Sequence, residues 1–256
     1  MSDSPLKVWV DRDGTLLRLR LARPKANLVD AAMIAALHAA LTAHRGNTGI
    51  VAALLDAEGS HFSFGASVEE HLAERCAKML ASLHALIMEM LEWPVPILVA
   101  VRGQCLGGGL EVAMAGSLIF AANDARLGQP EIQLGVFAPA ASCLLPARIG
   151  QAAAEDLLFS GRSIDAAEAK ALGLVTGVSG DPEAAALEYF DRHLAKKSAA
   201  SLAYAVAAAR GAYLAEVKRR ITEVERLYVE RLMKTRDANE GLAAFIAKRE
   251  PKWEHR

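Results

Sequence analysis

Two glycine turns and two glutamates are the residues of this chain whose types and spacing could do chemistry. Gly107, Gly108 and Gly109 stand in QCLGGGLEVA just ahead of Glu111, and Glu131 follows in GQPEIQLG. The apolar run Ile97 to Val101 before the glycines reads as a buried strand, and Leu110 to Ala115 after them as the start of a helix. The first N–H groups of a helix have no partner inside it and point at whatever lies in front, which suits an oxygen carrying developing negative charge. An earlier loop, Glu58 to Ser67, repeats the order of strand end, glycine turn and helix start around Gly65 and Ala66. Two such turns set side by side by a parallel sheet would offer two donors to one oxygen, the geometry of an oxyanion hole.

Each glutamate has a plain alternative when read alone. Glu111 lies one turn into an apolar helix, where a carboxylate is costly unless paired, protonated or working, but a solvated glutamate near a helix N-terminus is also common. Glu131 follows Gly128-Gln129-Pro130 and precedes Ile132-Gln133-Leu134, so it sits at a turn into a short apolar strand, or is simply an exposed turn residue. Together, facing an oxyanion hole, they could position a water, take its proton and return one to carbon. That chemistry is addition or elimination of water beside a carbonyl.

Other chemistries fit less well. A dinucleotide fingerprint needs G-x-G-x-x-G in a first βα turn, and Gln104 to Leu110 lacks that spacing and lies mid-chain. His38, His44, His61, His71 and His84 show no ligand spacing, Cys76, Cys105 and Cys143 are irregularly spaced, and no GxSxG elbow occurs, so neither a metal nor a serine nucleophile is expected. Arg23, Lys25 and the C-terminal lysines could meet phosphates or simply be solvated.

The elements that must position these residues belong to an α/β chain. Its 256 residues can bury a substantial core, its net charge of −1 leaves no footprint for nucleic acid, and no apolar run nears the roughly 20 residues that span a bilayer. The first ten residues lack a secretory pattern, and the cysteine usage fits a reducing cytoplasm. Leu6 to Val10 and Thr15 to Leu21 form a hairpin around Asp13-Gly14, Asp30 caps a helix to about His44, and Ile50 to Asp56 is a buried strand. A long helix is expected from about Val68 to Leu91, a strand at Leu118 to Ala122, and helices from Pro139, Gln151 and Ser163. Beyond Asp181 the pattern is helical, with separate helices at Ser198 to about Ala215, Glu216 to about Lys234 and Asp237 to about Arg249. A composition shift divides an α/β body, residues 1–195, from a helical region, residues 196–256. Leu214, Val217, Ile221, Val224, Leu227, Tyr228 and Leu232 recur at spacings that mark a buried helical stripe.

Through Arg23-Pro24-Lys25-Ala26-Asn27, Phe62 to Ser67, Gly103 to Glu111 and Gly128 to Gly135, the chain resembles the enoyl-CoA hydratase/isomerase (crotonase) superfamily over nearly its whole length. The resemblance implies an α/β spiral of ββα units with a helical C-terminal trimerisation region, assembled as a homo-oligomer, a trimer or a hexamer. It implies an acyl-CoA thioester substrate and no separate cofactor, since CoA is part of the substrate, with no nucleic-acid or membrane partner. It assigns the thioester oxygen to the N–H groups of Ala66 and Gly108, the water to Glu111 and Glu131, and substrate contacts to Lys25, Phe64, Gly107, Phe137 and Pro139. Retaining both carboxylates favours a lyase over a thioester hydrolase or a dehalogenase. Two departures stand out: Phe137-Ala138-Pro139-Ala140-Ala141-Ser142-Cys143 replaces a GAGG-type stretch, and Ser67 stands where aspartate is frequent. The first implies a reshaped acyl pocket, and the resemblance extends furthest toward hydration of a cyclic conjugated dienoyl thioester. A linear enoyl-CoA hydratase, an enoyl-CoA isomerase and a non-catalytic acyl-CoA-binding protein are the alternatives.

Overall fold

The structure is a computed structural model and describes residues 4–256; the absence of a secretory pattern was read partly on residues 1–3, which lie outside the described residues. The chain opens with the expected hairpin, β1 (Leu6–Asp11) antiparallel to β2 (Leu16–Leu21), and Asp13 and Gly14 take the positive φ of the turn. Asp30 caps α1 (Ala31–His44) by accepting from the Met33 N–H at 2.9 Å. There follow β3 (Ala52–Ala57), α2 (Cys76–Leu91), β4 (Ile97–Val101), β5 (Gln104–Leu106), α3 (Gly108–Ala115), β6 (Leu118–Ala122) and β7 (Arg126–Gly128). Beyond them run α4 (Pro139–Ile149), α5 (Gln151–Ser160), β8 (Ser163–Asp165), α6 (Ala166–Ala171), β9 (Gly177–Ser179) and α7 (Pro182–Tyr189), then α8 (Ala199–Glu230) and α9 (Arg236–Ile246).

The described residues form a six-stranded sheet in the order β1-β2-β3-β4-β6-β9, parallel beyond the first pair, and a three-stranded sheet β5-β7-β8. Alternate residues of the large sheet serve two cores. Leu17, Leu19, Leu55, Val99 and Ile119 join α1, α2 and α3 on one face, while Leu16, Leu54, Leu98 and Phe120 meet Ala186 and Phe190 on the other. With both faces covered, β4 is the unbroken apolar run ILVAV, as parallel strands between helical layers require.

Several expectations are corrected. The helix expected over 68–91 is a short 3-10 turn, Val68–His71, a break, and then α2; its buried face, with Cys76, Met79, Leu80, Leu83 and Ile87 at spacings of three and four, starts only at Cys76. Ile132 to Leu134 is not a strand but part of a 3-10 helix, Pro130–Leu134, because Pro130 has no N–H for a ladder and Gly135 closes the turn at φ 72. Ser163 opens the short strand β8 rather than a helix, and Asp165 is the cap of α6. The helices expected to divide near Ala215 are one, α8, since Ala215-Glu216 offers no breaker. Its stripe buries Val217, Ile221, Val224 and Tyr228, while Leu227 is 49% exposed at the stripe's edge.

Candidate active site

Hydrogen bonds lay the two glycine turns against each other. The Phe62 and Ser63 N–H groups donate to Arg102 O and Gln104 O at 2.9 and 3.0 Å, and the Leu106 N–H returns to Ser63 O at 3.0 Å. Asn27, buried behind them, donates to Glu58 O at 2.9 Å and His61 O at 3.0 Å, and the Phe64 N–H reaches Ala26 O at 2.9 Å. The turns meet so closely that a Cβ on Gly108 would lie 3.2 Å from the Ala66 nitrogen. The N–H groups of Ala66 and of Gly108, first residue of α3, find no acceptor among the described residues. Two unpaired backbone donors thus lie close together, an arrangement able to hold an oxygen that gains negative charge.

Glu111 projects from α3 into surroundings that leave it 3% exposed. Its Oε1 accepts the Ala141 N–H at 2.8 Å, one of the unpaired donors of the first turn of α4, which Pro139 begins. Burial raises its carboxyl above the usual range, against the opposing pull of that N–H and of His84. Glu131, half-buried in the 3-10 helix, is pushed up to about 8 by burial and then by the charge of Glu111. The two therefore titrate as a pair. The fully buried Gln129, with its amide nitrogen turned to the carboxylate, donates to both Glu131 oxygens at 3.1 and 3.2 Å. Gly107 makes room for this carboxylate: at φ 50 it holds a conformation suited to glycine, and a Cβ there would stand 2.6 Å from Glu131 Oε1.

A cavity of about 450 Å³ opens onto this group, lined among others by Phe64, Ala66, Gly107 and Glu131, with Leu242 and Phe245 of α9 opposite. Glu111 sits behind its wall. Of the remaining predicted contacts, Lys25 is exposed in the turn beside Ala26, Pro139 is buried at the start of α4, and Phe137 packs edge-on against Tyr228 with ring centroids 5.3 Å apart. These three do not line the cavity.

Sequence reasoning missed Gln129, His84 and the α9 side chains. A histidine on the apolar face of α2, between Leu83 and Ile87, was a signal for the second; nothing local marked the others. Among the described residues no three His, Cys, Asp or Glu side chains are grouped as a metal site, and no helix is long and apolar enough to cross a membrane.

The described enoyl-CoA hydratase/isomerase family matches residues 11–256. The chain is 64% identical over 255 residues to cyclohexa-1,5-dienecarbonyl-CoA hydratase of Thauera aromatica, covering 100% of this chain and 99% of that protein. It is 33% identical over 251 residues to a probable enoyl-CoA hydratase of Bacillus subtilis, covering 92% and 93% of the two chains. The crystal structure of an enoyl-CoA hydratase from Bacillus halodurans shares the fold with a TM-score of 0.87 at 22% identity, over 94% of this chain and 100% of that one. An enoyl-CoA hydratase/isomerase structure from Pseudoalteromonas atlantica matches with a TM-score of 0.83 at 29% identity, over 97% and 99%.

Proposed function

The chain belongs to the enoyl-CoA hydratase/isomerase family, and from that premise we propose that it hydrates cyclohexa-1,5-diene-1-carbonyl-CoA to 6-hydroxycyclohex-1-ene-1-carbonyl-CoA. The observation that carries this hydro-lyase reading is the full-length 64% identity to the Thauera aromatica hydratase. The geometry supports it with two unpaired donors for the thioester oxygen and two carboxylates raised by burial, one ready to take a proton and one to give one.

Glu111 accepts a proton from water as hydroxide adds to the β-carbon of the thioester, and the N–H groups of Ala66 and Gly108 receive the charge that moves onto the thioester oxygen. The resulting dienolate takes a proton from Glu131 at the far end of the diene. This net 1,4-addition leaves the remaining double bond conjugated with the thioester. Glu131 suits the donor's part because its carboxyl, near 8, keeps its proton at neutral pH. Glu111, held by the α4 N-terminus, suits the base. Phe64 and Gly107 line the cavity assigned to the acyl group, Phe137 and Pro139, where a GAGG-type stretch is replaced, are assigned to its specificity, and the exposed Lys25 is available to a CoA phosphate.

The same reading places the reaction in anaerobic benzoyl-CoA degradation, in the cytoplasm, with the protein as a trimer or hexamer. Three buried free cysteines support a reducing compartment. Incubation with cyclohexa-1,5-diene-1-carbonyl-CoA and with crotonyl-CoA in H₂¹⁸O tests the function. Label in the 6-hydroxy product and preference for the cyclic substrate are expected. Preference for crotonyl-CoA, double-bond movement without label, or binding without turnover would overturn it.

A further inference from the structure

Two carboxylates with separate duties finish a turnover in the wrong protonation states. Glu111 has gained the proton of the water, Glu131 has lost its own, and the next turnover needs the reverse. Glu131 lines the cavity, but Glu111 is buried behind it. The chain must give that proton somewhere to go.

Close to Glu111 lies an unusual pair. His84 of α2 is 4% exposed, and its Nδ1 is 2.6 Å from Oε2 of Glu225 on α8. A carboxylate at that distance fixes the imidazole with its proton on Nδ1, which leaves Nε2 as a bare acceptor. Nε2 is itself buried and has no partner among the described residues, a costly state for a polar atom without a task. α2 packs directly on α3, and a protonated His84 would lower the Glu111 carboxyl, so the two groups lie near each other. Glu225, with about a third of its side chain exposed, can carry the balancing negative charge without itself being fully buried.

We infer that His84, held by Glu225, is the proton store of the site: it takes the proton from Glu111 after each addition and gives it back toward Glu131 once product has left. In the first step the O–H bond of the Glu111 carboxyl breaks and an Nε2–H bond forms, through one bridging water, leaving a Glu111 carboxylate and an imidazolium paired with Glu225. In the second, that Nε2 proton passes through water to the Glu131 carboxylate, restoring neutral His84 and a protonated donor. No proton is created or lost, and no oxidant or reductant is needed. His84 acts through the glutamates and does not touch the substrate. The inference rests on the hydratase reading above.

The test compares wild type, His84→Gln, His84→Ala and Glu225→Gln on cyclohexa-1,5-diene-1-carbonyl-CoA, in both single-turnover and steady-state experiments. Because the store acts after the chemical step, His84→Gln should keep its first turnover near the wild-type rate. Its steady state should slow by about 10- to 100-fold, the size of a lost proton-transfer group, and so show a burst of about one product per site. KM should stay within about threefold, and added imidazole should restore turnover to His84→Ala but not to Glu111→Gln. Glu225→Gln should show a smaller burst of the same kind, and it carries the test if the His84 variants fail to fold. A wild type that hydrates the diene while every folded variant keeps its steady-state rate, or slows equally in the first turnover without imidazole rescue, would overturn the inference alone. A wild type inert on the diene would instead bring down the functional reading beneath it.

Discussion

Asp56 and Glu111 are equally hidden, each 3% exposed, yet the chain treats them in opposite ways. Asp56, at the end of β3, is clasped by two guanidinium groups of β2: Arg18 at 2.8 Å and Arg20 at 2.6 Å, with Glu183 of α7 and the ring of Trp9 completing the cluster. Its charge is fully answered and it can only hold the sheet edge together. Glu111 has one backbone N–H at 2.8 Å, apolar neighbours and a second carboxylate close by. No cation grips it, so its proton stays available for exchange. Burial alone does not make a carboxylate reactive. Burial without a countercharge does, because it disfavours the charged form and raises the carboxyl above its usual range.

The contrast can be broken from either end. The largest effect is expected from Glu111→Gln or Glu131→Gln, which should lower kcat for hydration by about two to four powers of ten while leaving thermal stability no lower than wild type. Asp56→Ala should do the reverse. It strands the buried Arg18, and denaturant titration should show a loss of about 3–5 kcal/mol, with kcat per folded molecule unchanged. A finer probe is Gly107→Ala, whose Cβ would press on the Glu131 carboxylate from 2.6 Å. A displacement of that order should reduce kcat by about 10- to 100-fold in steady-state assays, more than it weakens CoA-thioester binding in calorimetry.

The smallest effect is in stability against pH. Glu131 has a raised carboxyl, near 8, so between its unfolded value of about 4.5 and that point the folded chain holds a proton that the unfolded chain has released. Stability is therefore fully present below the unfolded value and declines as pH rises through this window. Glu131→Gln should lack the decline, and the gap between the two proteins should widen by about 1–2 kcal/mol from pH 5 to pH 8, with cavity solvent screening the rest. A gap that narrows with rising pH would mean that Glu131 is paired much as Asp56 is.

What was legible in the sequence was whatever local pattern or backbone chemistry decides. The run ILVAV announced a strand covered on both faces, Asp30 announced its helix, and the glycines at 107–109 announced a backbone brought against something else. Glu111 was legible because a carboxylate amid leucine, valine and alanine is an anomaly in any fold, whereas Glu131, alone an ordinary turn residue, stood out only beside Glu111 and the glycine turns. Hidden were the features decided by distant partners. His84 and Glu225 stand 141 positions apart, so nothing around either one announces the other. The 3-10 helix at Pro130–Leu134 was missed because Ile132 and Leu134 copy the alternation of a strand, while the proline that forbids one lies just outside the apolar pattern. The unity of α8 was missed because the helical pattern was divided at Ala215-Glu216, where the backbone makes no break.

The cavity wall also has a calendar. Glu111 and Glu131 are made well before Glu225 of α8 and before Leu242 and Phe245 of α9. At about 5–20 residues per second, the interval is on the order of ten seconds, long compared with the folding of a parallel sheet and its helices. For that time the growing chain has its donor turns and carboxylates but not the helices that enclose them. Water must keep the carboxylates hydrated until α8 and α9 arrive, so the helices made after the site are the ones that dry it.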